Sequence, residues 1–160
     1  MKKSRWPLIV FLGMAALALV HGVKALDTHT VIKVFDGDTI QTDDGRKIRL
    51  IGIDAPEVNS PYTLAEPFGE ESKVYLTRFL LGQKVRVVPG KEPFDVYGRS
   101  LAYVYRGDIL INGRIVRDGY ARAYTRFDYP EKELFLTYEK EAKARGLGLW
   151  KDIRPGPPTP

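Results

Sequence analysis

Apolar and polar positions change rhythm several times along this 160-residue chain, and each change predicts an element. Thr28 to Phe35 is rich in β-branched residues and reads as a strand, closed by a turn at Asp36-Gly37. Thr39 to Thr42 continues as a second strand, Asp43-Asp44-Gly45 turns the chain again, and Lys47 to Ile53 is a third. These three form an antiparallel meander. Alternation along the third strand predicts Arg49, Ile51 and Ile53 on one face and Ile48, Leu50 and Gly52 on the other. Ala55 to Pro67 holds three prolines and reads as a loop. The period then lengthens: apolar residues at 75, 76, 79 and 80 predict a helix over Gly69–Leu81, with Glu70 and Glu71 at its positive end and Gly82 as its stop.

Val85–Val88 and Ser100–Tyr105 are the fourth and fifth strands, separated by a polar loop over Pro89–Tyr97. Asn112–Asp118 predicts a short helix with Asn112 as N-cap, Ile115 and Val116 inward, and Gly119 just past its end. Pro130–Arg145 predicts a longer helix whose apolar stripe is Leu134, Phe135, Tyr138 and Ala142, with Leu147 to Trp150 docking its end. Five short strands, with one helix inserted after the third, predict an α+β, mainly β, domain: a five-stranded Greek-key barrel of the OB type with three α-helices. The length suits one such domain with its own core, over residues 26–153.

The ends of the chain read differently. Met1 to Arg5 is basic, Trp6 to Val20 is almost purely apolar, and Val23-Lys24-Ala25 places small residues where a signal peptidase cuts. The apolar run is short for a membrane span, which needs about 20 residues. Residues 1–25 are therefore expected to be a secretory signal that delivers the protein to the cell envelope or outside, with membrane contact only if the segment stays uncleaved. Residues 154–160, with four prolines, are expected to be a loose tail. Export changes the charge argument: 25 Lys and Arg oppose 20 Asp and Glu, but four of the cations lie in the signal, which leaves a surplus of one. Bulk charge thus gives no case for nucleic acid, and only the placement of charges counts. With no Cys, disulfides, thiolate metal sites and a Cys nucleophile are excluded. His21 and His29 lie in the signal and near the start of the mature chain, which argues against histidine catalysis.

The charges gather at strand ends. Asp38 follows the first turn, Arg49 sits on an otherwise apolar strand, Asp54 and Glu57 lie just beyond it, and Arg99 opens the fifth strand. Taken alone, Asp36-Gly37-Asp38 is a hairpin turn and Arg49 a cation covering apolar surface. Taken together, the residues are equipment for one reaction. Two carboxylates and a backbone carbonyl can hold a hard divalent cation, a third carboxylate can deprotonate water, and two guanidiniums can stabilise the extra charge of a five-coordinate phosphorus. The loop does not suit an EF-hand, because the fifth position counted from Asp36 is Ile40.

The stretches VIKVFDGDTI, IRLIGIDAPE, GEESKVYLTRFL, DVYGRSLAYVY and GLGLW, in this order and at these spacings, resemble the staphylococcal nuclease (thermonuclease) family over about Thr30 to Trp150. The resemblance implies an OB-fold, a Ca2+ cofactor, and hydrolysis of DNA or RNA phosphodiesters that leaves a 3′-phosphate. It implies Asp38 and Asp54 as metal carboxylates, the Ala55 backbone carbonyl as a further ligand, and Glu57 as the base. It further implies that Arg49 and Arg99 bind and stabilise the phosphate, that Tyr97 contacts a substrate phosphate, and that base-stacking aromatics lie among Tyr124, Phe127 and Tyr129. Two positions depart from the family's best-known member: Ala55 replaces a threonine that acts through its backbone, and Val96 replaces a lysine that helps bind a terminal phosphate. Asp36 is expected to be architectural. The competing reading is an OB barrel that binds nucleic acid without cutting it; such barrels typically lose carboxylates or arginines from this set, and here Asp38, Arg49, Asp54, Glu57 and Arg99 are all present. The expectation is a monomer acting on DNA and/or RNA with little sequence preference and no obligate protein partner.

Overall fold

A computed structural model of the chain describes residues 27–61 and 64–151. The β-branched run predicted as the first strand forms β1 (Thr28–Val34), which pairs antiparallel with β2 (Thr39–Thr42); β2 in turn pairs with β3 (Lys47–Leu50). On its other side β1 pairs with the long β5 (Lys84–Phe94), and β5 with β6 (Ser100–Arg106). β6 then runs parallel to β3, with Ile48 opposite Ser100 and Arg49 opposite Leu101, so the five strands close on themselves. Closure removes the sheet edges that would otherwise expose unpaired backbone groups. The barrel is filled by Val31, Ile40, Ile48, Leu50, Val85 and Val104. One mouth is covered by α1 (Gly69–Leu80), which contributes Leu76 and Leu80 to the same core.

The third predicted strand is broken. After β3 the chain turns at Gly52, whose φ is +78°, and re-forms as the two-residue β4 (Ile53–Asp54), paired with β8 (Arg122–Ala123) in a separate small ladder. A β-carbon at Gly52 would lie 2.6 Å from the Tyr129 ring, so glycine is required there twice over, for φ and for space. The break also ends the predicted alternation: Ile53 is buried with Ile48 and Leu50, not grouped with Arg49.

Other boundaries moved for equally physical reasons. The expected polar loop after Val88 is extended strand as far as Phe94; a register shift after Pro89 lets the strand continue past a residue that has no N–H to donate. Asn112 is not an N-cap. α2 (Ile111–Arg117) begins one residue earlier, with Leu110 in the capping position, and Asn112 is fully buried. Its Oδ1 accepts the Val104 N–H at 2.9 Å, and its Nδ2 donates to the Ile51 carbonyl at 2.9 Å and the Ala102 carbonyl at 3.2 Å. It thus bridges the Val104 N–H and the Ile51 carbonyl where the third strand parts from β6, and adds a second donor to the Ala102 carbonyl, which also accepts the Ile51 N–H at 3.0 Å. Ile115 and Val116 point inward as expected. In α3 (Lys132–Ala144), Phe135 and Ala142 are buried and Tyr138 packs on the core, whereas Leu134, expected on the apolar stripe, is exposed. The strand β7 (Ile109–Leu110) completes a hairpin with β6, and a 3₁₀ turn over Gly148–Trp150 docks beneath the end of α2, where the Leu149 N–H donates to the Gly119 carbonyl at 2.9 Å. The predicted signal and Pro-rich tail lie outside the described residues.

Candidate active site

The first turn aims Asp38 inward. The Phe35 N–H donates to the Thr39 carbonyl at 2.9 Å and closes the loop, while Asp36 Oδ1 accepts the Asp38 N–H at 2.9 Å. Gly37 does not adopt the left-handed backbone that an Asp-Gly turn suggests; it is glycine for space. A β-carbon there would lie 2.4 Å from Ser72 Oγ on α1 and 2.6 Å from the Ala55 β-carbon. The turn is therefore pressed between the helix and the segment after β4, and the Asp38 carboxylate is buried.

That carboxylate is gripped from three sides. Its Oδ2 accepts the Ala55 N–H at 2.8 Å and pairs with Arg49 Nη1 at 2.7 Å, and its Oδ1 accepts the Thr39 hydroxyl at 3.0 Å. Arg49 Nη1 also donates to the Ile53 carbonyl at 3.0 Å, and Nη2 reaches Asp54 Oδ1 at 3.4 Å. The turn at Gly52 makes this possible, because it folds Ile53 and Asp54 back over the guanidinium. One arginine therefore bridges the two carboxylates singled out in the sequence as metal ligands. Asp38 is almost closed to solvent, with 7 % of its side chain accessible, while Asp54 is open at 49 %.

Glu57 follows on an exposed loop that is fixed through its backbone: its carbonyl accepts the Glu66 N–H at 2.8 Å, and a β-carbon at Gly69 would lie 2.2 Å from the same oxygen. Burial pushes the Asp38 carboxyl well above the usual range, against the pull of Arg49, and the charge of Asp36 adds to the rise. Desolvation raises Glu57 as well, with Asp36 again adding to it and Arg49 opposing. Asp38 and Asp54 thus share one guanidinium, whose charge also acts on Glu57. Asp38 and Asp54 offer carboxylate oxygens alone, a chemistry that suits a hard divalent cation better than a soft one.

Arg99 is held by a residue that the sequence reading did not single out. Asp95 Oδ2 pairs with Arg99 Nε at 2.6 Å, and its Oδ1 accepts the N–H groups of both Tyr97 and Arg99 at 2.9 Å. The signal was present as Asp95 followed three residues later by Gly98, an ordinary turn pattern. Arg99 lies just before β6, whose Ser100 and Leu101 stand opposite Ile48 and Arg49 of β3, so the turn that holds Arg99 adjoins the strand that carries Arg49. Tyr97 is 81 % exposed, with the Arg99 guanidinium 5.5 Å from its ring centre; Val96 is exposed beside it. Tyr124 and Phe127 form a tilted pair with ring centres 5.4 Å apart, and the Tyr124 N–H donates to the Gly52 carbonyl at 2.9 Å. Tyr129 is committed elsewhere: its hydroxyl donates to the Gly52 carbonyl at 2.9 Å and its ring packs on Phe135, so it is no free stacking platform.

The family model described as Staphylococcal nuclease homologue matches residues 47–152, which include Arg49, Asp54, Glu57 and Arg99. The chain belongs to the staphylococcal nuclease family. Among its relatives is a thermonuclease of Staphylococcus hyicus, 39% identical over 129 residues that make up 78% of this chain and 76% of the relative. A micrococcal nuclease of Shigella flexneri is 34% identical over 152 residues, covering 86% of this chain and 83% of its own. An uncharacterized endonuclease of Haemophilus influenzae is 32% identical over 156 residues, covering 95% and 79%. In this staphylococcal nuclease homologue, among the described residues, the group of three side chains whose ligand atoms converge closely enough to hold a metal ion is His29 with Asp43 and Asp44, at the other Asp-Gly turn. Its charges are already answered. Arg46 reaches Asp44 at 2.5 Å and Asp27 at 2.8 Å, and Asp27 also holds His29.

Proposed function

We propose that this protein is an exported, calcium-dependent nuclease that hydrolyses phosphodiester bonds of DNA and/or RNA with little sequence preference. The observation that carries the reading is the Arg49 guanidinium lying between a buried Asp38 and an open Asp54, with Glu57 fixed beside them, in a chain of the staphylococcal nuclease family. Relatives named thermonuclease and micrococcal nuclease support phosphodiester hydrolysis. Asp38, Asp54 and the Ala55 carbonyl would hold calcium, whose bound charge would polarise the phosphodiester and draw water towards it. Glu57 takes a proton from the attacking water as its oxygen bonds to phosphorus, and the bond to the leaving sugar oxygen breaks as that oxygen takes a proton from solvent. Arg49 and Arg99 grip the non-bridging oxygens and stabilise the charge that grows on them. Tyr97 meets a flanking phosphate, and Tyr124 and Phe127 offer ring faces to a base. These contacts read phosphates and π-faces, which every sequence provides. Export follows from the basic, apolar and small-residue order of Met1 to Ala25.

The test is cleavage of single-stranded DNA by the purified protein in calcium and in chelator. Cutting is expected only in calcium, and Glu57→Gln or Arg99→Ala should lower turnover by about 10²-fold or more. Binding without cutting in calcium would establish the non-catalytic barrel instead, and near wild-type rates for both variants would mean that the machinery lies elsewhere.

A further inference from the structure

Arg49 and Arg99 are held by opposite ends of the guanidinium. In Arg49 both terminal nitrogens are engaged: Nη1 lies 2.7 Å from Asp38 Oδ2 and donates to the Ile53 carbonyl at 3.0 Å, while Nη2 reaches Asp54 Oδ1 at 3.4 Å. In Arg99 it is Nε that is taken, by Asp95 Oδ2 at 2.6 Å. Among the described residues nothing else accepts from the Arg99 guanidinium, so the donors of Nη1 and Nη2 are free. The carboxylate that does this is itself locked. Asp95 Oδ1 accepts the N–H groups of Tyr97 and Arg99, both at 2.9 Å. The loop closes twice more through its backbone: the Asp95 N–H donates to the Arg99 carbonyl and the Gly98 N–H to the Asp95 carbonyl, each at 3.0 Å. Burial opposes ionisation of Asp95, but the Arg99 amide, the Arg99 guanidinium and the Tyr97 amide overcome it and hold the carboxyl below its usual range. Asp95 is thus a fixed, mostly covered anion in a loop whose next two residues, Val96 and Tyr97, are exposed.

We propose that Asp95 is a positioning residue for the cleavage reaction: by holding Arg99 Nε it fixes the guanidinium so that Nη1 and Nη2 together grip two oxygens of the phosphate end-on. A guanidinium carries five N–H donors in a rigid fork and can meet an oxyanion side-on, through Nε and one Nη, or end-on, through both Nη nitrogens. Asp95 removes the side-on approach for Arg99. It also spends its charge at the Nε edge, away from the fork that is left for phosphate. Arg49 cannot take the same role, because its terminal nitrogens already bridge Asp38 and Asp54. The two arginines therefore meet the phosphate by different edges, and Arg99 supplies the paired grip. Because Asp95 also holds the Tyr97 amide, one anion sets both phosphate contacts of the loop. A group fixed before substrate arrives needs no reorganisation at the moment of reaction. The inference rests on the nuclease reading and adds to it which edge of Arg99 acts and what directs that edge.

The experiment is a double-mutant cycle on cleavage of single-stranded DNA in calcium. Asp95→Asn keeps an oxygen for the Tyr97 and Arg99 amides but loses the charged acceptor at Nε, so its thermal melt should stay close to wild type while the Arg99 side chain is released. Its kcat should fall about tenfold, as expected for a displaced charge-stabilising group, with little change in KM. In an Arg99→Ala background the same substitution should change kcat by less than about twofold, because Asp95 acts through Arg99. A merely structural role would give the same loss in both backgrounds. A second measurement does not depend on turnover: by 15N NMR in the same buffer, the Arg99 Nε–H of the wild type should exchange slowly with water, and Asp95→Asn should abolish that protection. Equal losses in the two backgrounds, a wild-type kcat for Asp95→Asn, or an Arg99 Nε–H that exchanges like that of a free arginine overturns the positioning role and leaves the nuclease reading intact. If the wild type does not cut, or Arg99→Ala cuts at the wild-type rate, the place of Arg99 in the reaction falls, and the role of Asp95 falls with it.

Discussion

Two Asp-Gly turns of one meander, built from nearly the same letters, are opposite in physical character. Asp36-Gly37-Asp38 buries a carboxylate that burial drives towards its neutral form, in company with Asp54 and Glu57. Asp43-Asp44-Gly45 leaves its carboxylates exposed and surrounds them with donors. Burial opposes ionisation of Asp44, but the Thr42 hydroxyl, the Arg46 amide and the Arg46 guanidinium overcome it and hold the carboxyl at about 2. The glycines differ too. Gly45 has φ +86° and open space around it, whereas Gly37 needs no special φ and has no room for a β-carbon. The first turn carries the cost of a buried carboxylate and the second has its carboxylates satisfied by donors, a division expected if the first turn is the one that serves function.

The widest separation should come from the arginine at each turn. Arg49→Ala removes a phosphate grip and leaves Asp38 buried without its ion partner. Cleavage should fall by about 10²–10³-fold, and stability in chelator by about 3 kcal/mol, with part of that stability returned by calcium. Arg46→Ala should leave cleavage at the wild-type rate and cost about 1 kcal/mol, the range of a partly exposed pair. Single-turnover cleavage and urea unfolding, each with and without calcium, check both. An active Arg49 variant, or an inactive but folded Arg46 variant, would break the contrast.

The glycines sharpen it. Gly37→Ala drives a methyl into the Ala55 β-carbon and into Ser72, which is fully buried and has its hydroxyl tied to the Tyr120 carbonyl. Neither neighbour can swing aside, so the expected cost is about 2 kcal/mol, typical of overpacking. Cleavage should fall with it, since Ala55 supplies the N–H that holds Asp38. Gly45→Ala meets nothing and pays only for the left-handed backbone, about 1 kcal/mol, with cleavage unaffected. Equal losses of activity in the two variants would mean that the first turn is held no more tightly than the second.

Much of this was legible in the sequence, and the failures have identifiable causes. The β-branched runs, the Asp-Gly turns and the helical spacing from Gly69 locate the five barrel strands and α1, because these signals are local. The grouping of Asp38, Arg49 and Asp54 could be suspected from charge at strand ends, but their contact depends on Gly52 turning the chain after β3, and apolar alternation runs straight through that glycine. Asn112 looked like a cap because caps are the commonest use of Asn before a helix; its real partners, Val104, Ile51 and Ala102, come from two other parts of the barrel. Asp95 was visible as a turn residue, but its grip on Arg99 needed the loop's geometry. Tyr129 was among the aromatics that the family resemblance offered for stacking, and it is taken instead by the gap above Gly52. Local chemistry could be read from the chain; long-range claims on the same side chains could not.

The smallest effect is a pH dependence confined to the second turn. Asp27 holds His29 Nε2 at 2.5 Å, while Asp43 and Asp44 face Nδ1, and Arg46 sits behind them. The hydrogen bond to Asp27 raises the His29 pKa above 6.5, despite some burial and the nearby Arg46 charge. A raised folded-state pKa means that the protonated ring stabilises the fold fully below 6.5, and that this contribution fades as pH climbs through the folded value. The carboxylates act in the opposite sense: Asp27, Asp43 and Asp44 are lowered from 3.8, so their contribution is complete above that value and is lost as pH falls through their folded values, about 2 for Asp44. The network therefore contributes most between about pH 4 and 6.5. His29→Gln should cost no more than about 1 kcal/mol at pH 6 and less at pH 8, measured as the difference between variant and wild-type unfolding curves, so that other titrations common to both cancel. Cleavage at either pH should be the same in variant and wild type. A deficit that grows with pH, or a loss of cutting, would show that the two turns are coupled and that the second also serves the first.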